Sequence, residues 1–95
     1  MVEPFNQVKE KKYTLEKLYK GLKLRVVIEN EEIALLVGKS TRAKQNFSKK
    51  QGAQILSTSI QTGYEWHEQV EVFVTRSSDK VAMILKASGH EIARK

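Results

Sequence analysis

The chain reads as an α+β two-layer sandwich, a mainly antiparallel sheet with helices on one face, ferredoxin-like or a related plait. Three observations predict this class. Leu22, Leu24, Val26 and Ile28 alternate with Lys23, Arg25, Val27 and Glu29, the period of a half-buried strand. Other stretches instead pair a capping hydroxyl with a downstream glycine, the punctuation of short helices. From Ile33 onward the resulting order is β-α-β-β-α-β, the split pattern of ferredoxin-like sandwiches.

Taken in order, residues 1–9 carry Pro4, Asn6 and Gln7 with little periodicity and read as a flexible arm; residues 10–95 form the single domain. Thr14 is placed to cap a short helix, because Leu15, Leu18, Tyr19 and Leu22 share a helical face and Gly21 ends it. The alternating strand from Leu22 follows. The polar turn Glu29-Asn30-Glu31-Glu32 joins it to a second strand through Ile33, Leu35 and Val37, so 22–37 reads as a hairpin. Ser40 or Thr41 caps a helix running to about Gln51 and closed by Gly52, with only Ala43 and Phe47 as its apolar face. Ala53 to Ile60 is a strand, and Thr62-Gly63 a turn. A long strand from Tyr64 to Arg76 puts Tyr64, Trp66, Val70, Val72 and Val74 on one face, with a bulge near Glu68 where a charge interrupts the alternation. Ser77-Ser78-Asp79 opens a last helix that buries Val81, Ile84, Leu85 and Ser88 and stops at Gly89. His90 to Lys95 is a short closing strand or a frayed end. No internal repeat is visible in the residues.

Val70-Glu71-Val72-Phe73-Val74, then Ser78 to Ser88 and Gly89-His90-Glu91-Ile92, resembles the strand–helix–glycine–strand close of the SUI-type initiation-factor fold. The resemblance covers a small part of the chain, and the same arrangement closes many α/β plaits.

Ninety-five residues exclude a two-domain enzyme or a solenoid array. No long apolar run is present, so no membrane span is expected. Met1-Val2-Glu3-Pro4 lacks the basic-then-apolar order of a secretory signal, and the absence of cysteine fits a reducing cytoplasm. The expected location is therefore cytoplasmic.

Seventeen Lys and Arg against eleven Asp and Glu give a net charge of +6, which favours an anionic partner. Location matters more than total. Lys9 to Arg25 holds seven basic residues against two acids, and Lys39 to Lys50 holds five against none. On the expected second helix, Lys39, Arg42, Asn46, Lys49 and Lys50 fall within an arc of about 100°, with Gln45 at its edge. Such a stripe suits phosphate binding, since each neutralised phosphate releases counterions. Lys11, Lys12, Lys17 and Lys20 would lengthen the footprint, and Arg76 and Lys80 would join if the last helix begins beside the second.

Catalytic and metal chemistry find little support. Gly38-Lys39-Ser40 resembles the end of a phosphate-binding loop, but Ile33 stands where that motif needs its first glycine. His67 and His90 are the only histidines; no cysteine or HExxH pair accompanies them, so neither metal nor cofactor is expected. A small nuclease built on His67 with Arg76 or Lys80 is the catalytic option. Tyr64 and Trp66, two apart, suit either a core anchor or base stacking. The expected function is a non-enzymatic protein binding DNA or RNA through its phosphates. The alternative is a protein-interaction module or regulatory subunit docking on an acidic partner. A homodimer through the 22–37 hairpin, using Val27, Ala34 and Leu36, is compatible with both.

Overall fold

In the computed structural model, which describes residues 12–47, 52–77 and 80–95, every element is a strand. They are β1 (Tyr13–Tyr19), β2 (Leu22–Glu29), β3 (Glu32–Val37), β4 (Ser40–Asn46), β5 (Gly52–Gln61), β6 (His67–Ser77), β7 (Lys80–Ala87) and β8 (His90–Arg94). They form two four-stranded antiparallel sheets, ordered β1-β2-β3-β4 and β5-β6-β7-β8. The expected α+β plait is thus corrected to an all-β sandwich, with no helix among the described residues. The likeness to the SUI-type close falls with it, because its helical part is strand β7. The arm 1–9 and residues 78–79, expected to open the last helix, lie outside the described residues.

Turn chemistry explains why strands win. Lys20-Gly21 joins β1 to β2 with φ of 49° and 80°, and Ser88-Gly89 joins β7 to β8 with φ of 50° and 81°. Two consecutive positive φ values are the signature of the type I′ turn, whose twist matches paired strands. Asn30-Glu31 repeats that pattern between β2 and β3, at 53° and 62°. Gly21 and Gly89, which also suit helix ends, are therefore hairpin residues.

Each misread segment satisfied both periodicities or neither. In β1, Leu15 and Tyr19 turn inward in strand alternation, and Leu18, the supposed helical-face residue, is left 68% exposed. In β7 every residue from Val81 to Leu85 is apolar, so a short run cannot separate the two periods. There Met83, Leu85 and Ala87 are buried. Residues 40–46 lack an apolar helical face and pair instead with β3 through the Gly38-Lys39 turn. The long strand begins at His67, not Tyr64, and it has no bulge at Glu68, which pairs regularly with Ile60.

The core lies between the sheets. Leu15, Leu24, Val26, Ile28, Ile33, Leu35 and Val37 face Leu56, Ile60, Val70, Val72, Val74, Met83, Leu85 and Ala87. β4 lies beside β5 and β1 beside β8. Side chains cross these seams: Gln54 Nε2 donates to Asn46 O at 2.8 Å, Arg42 Nη1 to Ser59 O at 3.5 Å, and Lys95 Nζ to Thr14 O at 2.9 Å. The chain is an up-and-down meander folded onto itself.

The two sheets also repeat one plan that the residues alone hid. The ladder slips by one residue between Leu35 and Leu36 opposite β4, and again between Leu85 and Lys86 opposite β8. The unpaired residues are Arg42 and Ile92, each followed by alanine and then a cation, Ala43-Lys44 and Ala93-Arg94. In register, Val26 of β2 corresponds to Val72 of β6, both paired to a buried leucine, Leu35 or Leu85.

Candidate nucleic-acid interface

The described part of the expected cationic stripe, 40–46, is strand β4 rather than helix, and its described members separate. At the end of the sandwich where β1–β2, β3–β4, β5–β6 and β7–β8 connect lie Lys20 and Lys39, with Arg42 one short step down β4. Lys12, Arg76 and Lys80 sit at the opposite end, and Lys17 lies midway along β1. Asn46 and Gln45 point to opposite sides of β4 near that far end; Gln45 is half-buried and the Asn46 carbonyl takes the Gln54 amide. Arg76 lies over the Phe47 ring at 4.7 Å. Lys11, Lys49 and Lys50 are outside the described residues.

Neighbouring carboxylates neutralise part of the remaining charge. Glu16 lies 4.0 Å from Lys23 and 3.9 Å from Arg25, and Glu32 lies 3.8 Å from Lys44. Among the described residues, Lys39 and Arg42 form no such ion pair. No acid occurs anywhere from Ile33 to Tyr64, an interval that supplies β4, β5 and the seam between them. Arg42 bonds Ser59 O and Asn46 O accepts from Gln54, so β4 and β5 run antiparallel along the seam and both the Gly38-Lys39 turn and Thr62 lie at its loop end.

Thr62 begins the feature that periodicity missed. Thr62–Trp66 form a closed loop: Thr62 N donates to Trp66 O at 2.9 Å, and the Gln61 amide donates to Gly63 O at 3.0 Å and Tyr64 O at 2.8 Å. A side chain at Gly63 would meet the Trp66 Cβ at 3.2 Å, so glycine keeps the loop tight. On this frame Tyr64 is 92% and Trp66 63% exposed. Neither ring is on a strand, and neither anchors the core. The legible signal was the Thr62-Gly63 turn immediately before the aromatics.

Beneath the loop sits Glu68, 5% exposed and facing inward with Val70, Val72 and Val74. Its Oε1 accepts from the Tyr19 hydroxyl at 2.6 Å and the Ser88 hydroxyl at 2.9 Å; its Oε2 accepts from the Lys20 ammonium and from Thr62 Oγ1 at 2.9 Å. Four donors occupy the four lone-pair directions of the carboxylate. The Lys20 and Tyr19 bonds hold this carboxyl at about 2, well below the usual range, against the opposing effect of burial. The bond to Glu68 in turn raises the Tyr19 phenol and the Lys20 ammonium. Saturated and ionised, Glu68 has no capacity left for proton abstraction; it ties the first sheet's turn to the base of the loop. A charge on the apolar parity of β6 was its sequence signal, read as a bulge.

His67 and His90 both lie at this end and are exposed. Among the described residues no group of three His, Cys, Asp or Glu is arranged to hold a metal ion. No helix there is long and apolar enough to cross a membrane. Both strands of the 22–37 hairpin are interior to their sheet, so their backbones are already paired; Val27, Ala34 and Leu36 lie half-buried on its outer face. No family model, curated protein or solved structure matches the chain.

Proposed function

We propose that this chain is a non-enzymatic nucleic-acid-binding module acting in the cytoplasm, gripping phosphates with Lys39 and Arg42 at the loop end of the β4–β5 seam. One observation carries the reading: the seam is built from an acid-free interval, and these two cations have no carboxylate partner among the described residues. A cation already held by a carboxylate must give up that pair to neutralise a phosphate; an unpaired one need not, and each phosphate it neutralises frees counterions condensed on the nucleic acid. The contacts expected are to backbone phosphates, giving affinity with little sequence preference. The double reversal Lys39→Glu/Arg42→Glu tests it by fluorescence anisotropy with labelled oligonucleotides at two salt concentrations. Affinity should fall at least about tenfold and the log–log salt slope by about 2. Unchanged affinity and slope would remove the surface.

A second reading, a module docking on another protein, is favoured by a different observation. Ile55, Phe73 and Ile84 stand opposite one another across β5, β6 and β7 on the outer face of the second sheet, with Ile55 52% exposed. Apolar rows on an outer sheet face suit protein contacts. Sedimentation with and without oligonucleotide separates the two readings: mass gain only with oligonucleotide supports the first, self-association alone the second.

A further inference from the structure

Resting on the nucleic-acid reading above, we infer that the ligand is single-stranded, with unpaired bases stacking on Tyr64 and Trp66 while Lys39 and Arg42 hold the adjoining phosphates. The two sheets supply the argument by their difference. In the first, β1 and β2 are joined by the two residues Lys20-Gly21. At the corresponding place in the second, the five residues Thr62–Trp66 intervene. The plan needs no such insertion to close the hairpin, and the insertion holds the two aromatics.

The loop is constructed rather than slack. The Gln61 amide, the Thr62 amide and the Thr62 hydroxyl fix its backbone from both sides, the last through Glu68. A held frame displaying two nearly uncovered rings forgoes the burial that aromatics normally gain. Base stacking recovers that burial, and it is tolerant of sequence because every base has a π face. Glu65 stands exposed between the rings and disfavours phosphate there, so the loop suits bases and the neighbouring cations suit the backbone. Arg42, bonded to Ser59 O three residues before Thr62, and Lys39 in the turn at the same end bring both functions to one end of the seam, where a single nucleotide strand can reach them. A duplex keeps its base faces stacked on each other and offers them to neither ring.

Trp66 is the only tryptophan, so its emission reports on this loop alone. The test titrates the full chain with short oligothymidylate, oligouridylate and a duplex of matched length. Expected are quenching of Trp66 by the single strands and weaker binding of the duplex. The thymidylate and uridylate arms tell DNA from RNA as the source of the same chemistry. Tyr64→Ala and Trp66→Ala should each cost about 5- to 100-fold in single-strand affinity at unchanged thermal midpoint, and Trp66→Phe should restore most of it. Equal binding of duplex, insensitive to both alanine variants but lost in the Lys39→Glu/Arg42→Glu variant, overturns the single-strand inference and leaves the phosphate surface standing. Failure of every oligonucleotide to bind removes both. Quenching of Trp66 on concentrating the protein alone assigns the rings to protein contacts and likewise overturns the inference.

Discussion

The two halves of this sandwich share strand order, bulge position and core register, yet they differ at one end. Where the first sheet places Leu22 opposite Tyr19, the second places Glu68 opposite Ile60. Where the first turns in two residues, the second spends five and exposes two aromatic rings. The outer faces differ too: the row Thr14, Val27, Ala34 and Lys44 becomes Ile55, Phe73, Ile84 and Arg94. Shared positions are those that packing and hairpin geometry require. Departures concentrate where neither requires anything, and a buried carboxylate is retained there because it fastens the elaborated loop to the simpler sheet.

Three experiments sharpen or break this comparison. The largest effect is expected in the shared core. Leu35 and Leu85 occupy matching places and both are fully buried. Leu35→Ala and Leu85→Ala should each destabilise the fold by about 2–5 kcal/mol in urea titrations. Losses of similar size in a single cooperative transition fit one core served equally by both sheets; a separate transition for either half would break that picture.

A smaller effect is expected where the halves diverge. Glu68 titrates at about 2 in the folded chain against an ordinary 4.5, so its folded value is depressed. The stability it adds is fully present above about 4.5 and is lost as the pH falls toward 2. Glu68→Gln should lower the urea midpoint at neutral pH, and the gap to the parent should close across that acid window. A gap that is constant with pH would show that the ionised carboxylate is not what holds the loop to the first sheet.

The smallest concerns turn chemistry. Lys20-Gly21 and Ser88-Gly89 place glycine second, whereas Asn30-Glu31 forces Glu31 to a φ of 62°. Glu31→Gly should stabilise by about 0.5–1 kcal/mol by relieving that backbone, read as a raised urea midpoint. Loss of stability instead would show that the glutamate side chain contributes more than its conformation costs.

Part of the fold was legible in the residues. Leu22 to Glu29 and Val70 to Val74 alternate too regularly to be anything but strands, and Glu29-Asn30-Glu31-Glu32 forms the turn its polarity indicated. The supposed helices failed for a common reason. Thr14, Ser40 and Ser77 are good caps, and Gly21, Gly52 and Gly89 good stops, but here Gly21 and Gly89 make hairpin turns and the others lie within strands. Only a neighbouring strand with unpaired backbone groups decides between the two uses. The candidate site was less legible still. A basic stripe drawn at 100° per residue scatters when the segment is extended, since alternate side chains then face opposite sides. Lys39 and Arg42 survive together because one sits on the turn and the other at the bulge.

What the residues determined alone is local or summed: an excess of positive charge, an acid-free interval, no thiol chemistry, and several stretches with a two-residue apolar period. These depend on composition and nearest neighbours, so no partner strand is needed to read them. Tertiary structure decided the rest: that the ambiguous segments pair as strands wherever the residues are described, that Lys20 is spent on a buried glutamate, and that Tyr64 and Trp66 stay outside. Each of those outcomes depends on groups distant in the chain, Glu68 lying 48 residues from Lys20, and hydrogen bonding across such distances leaves no local pattern.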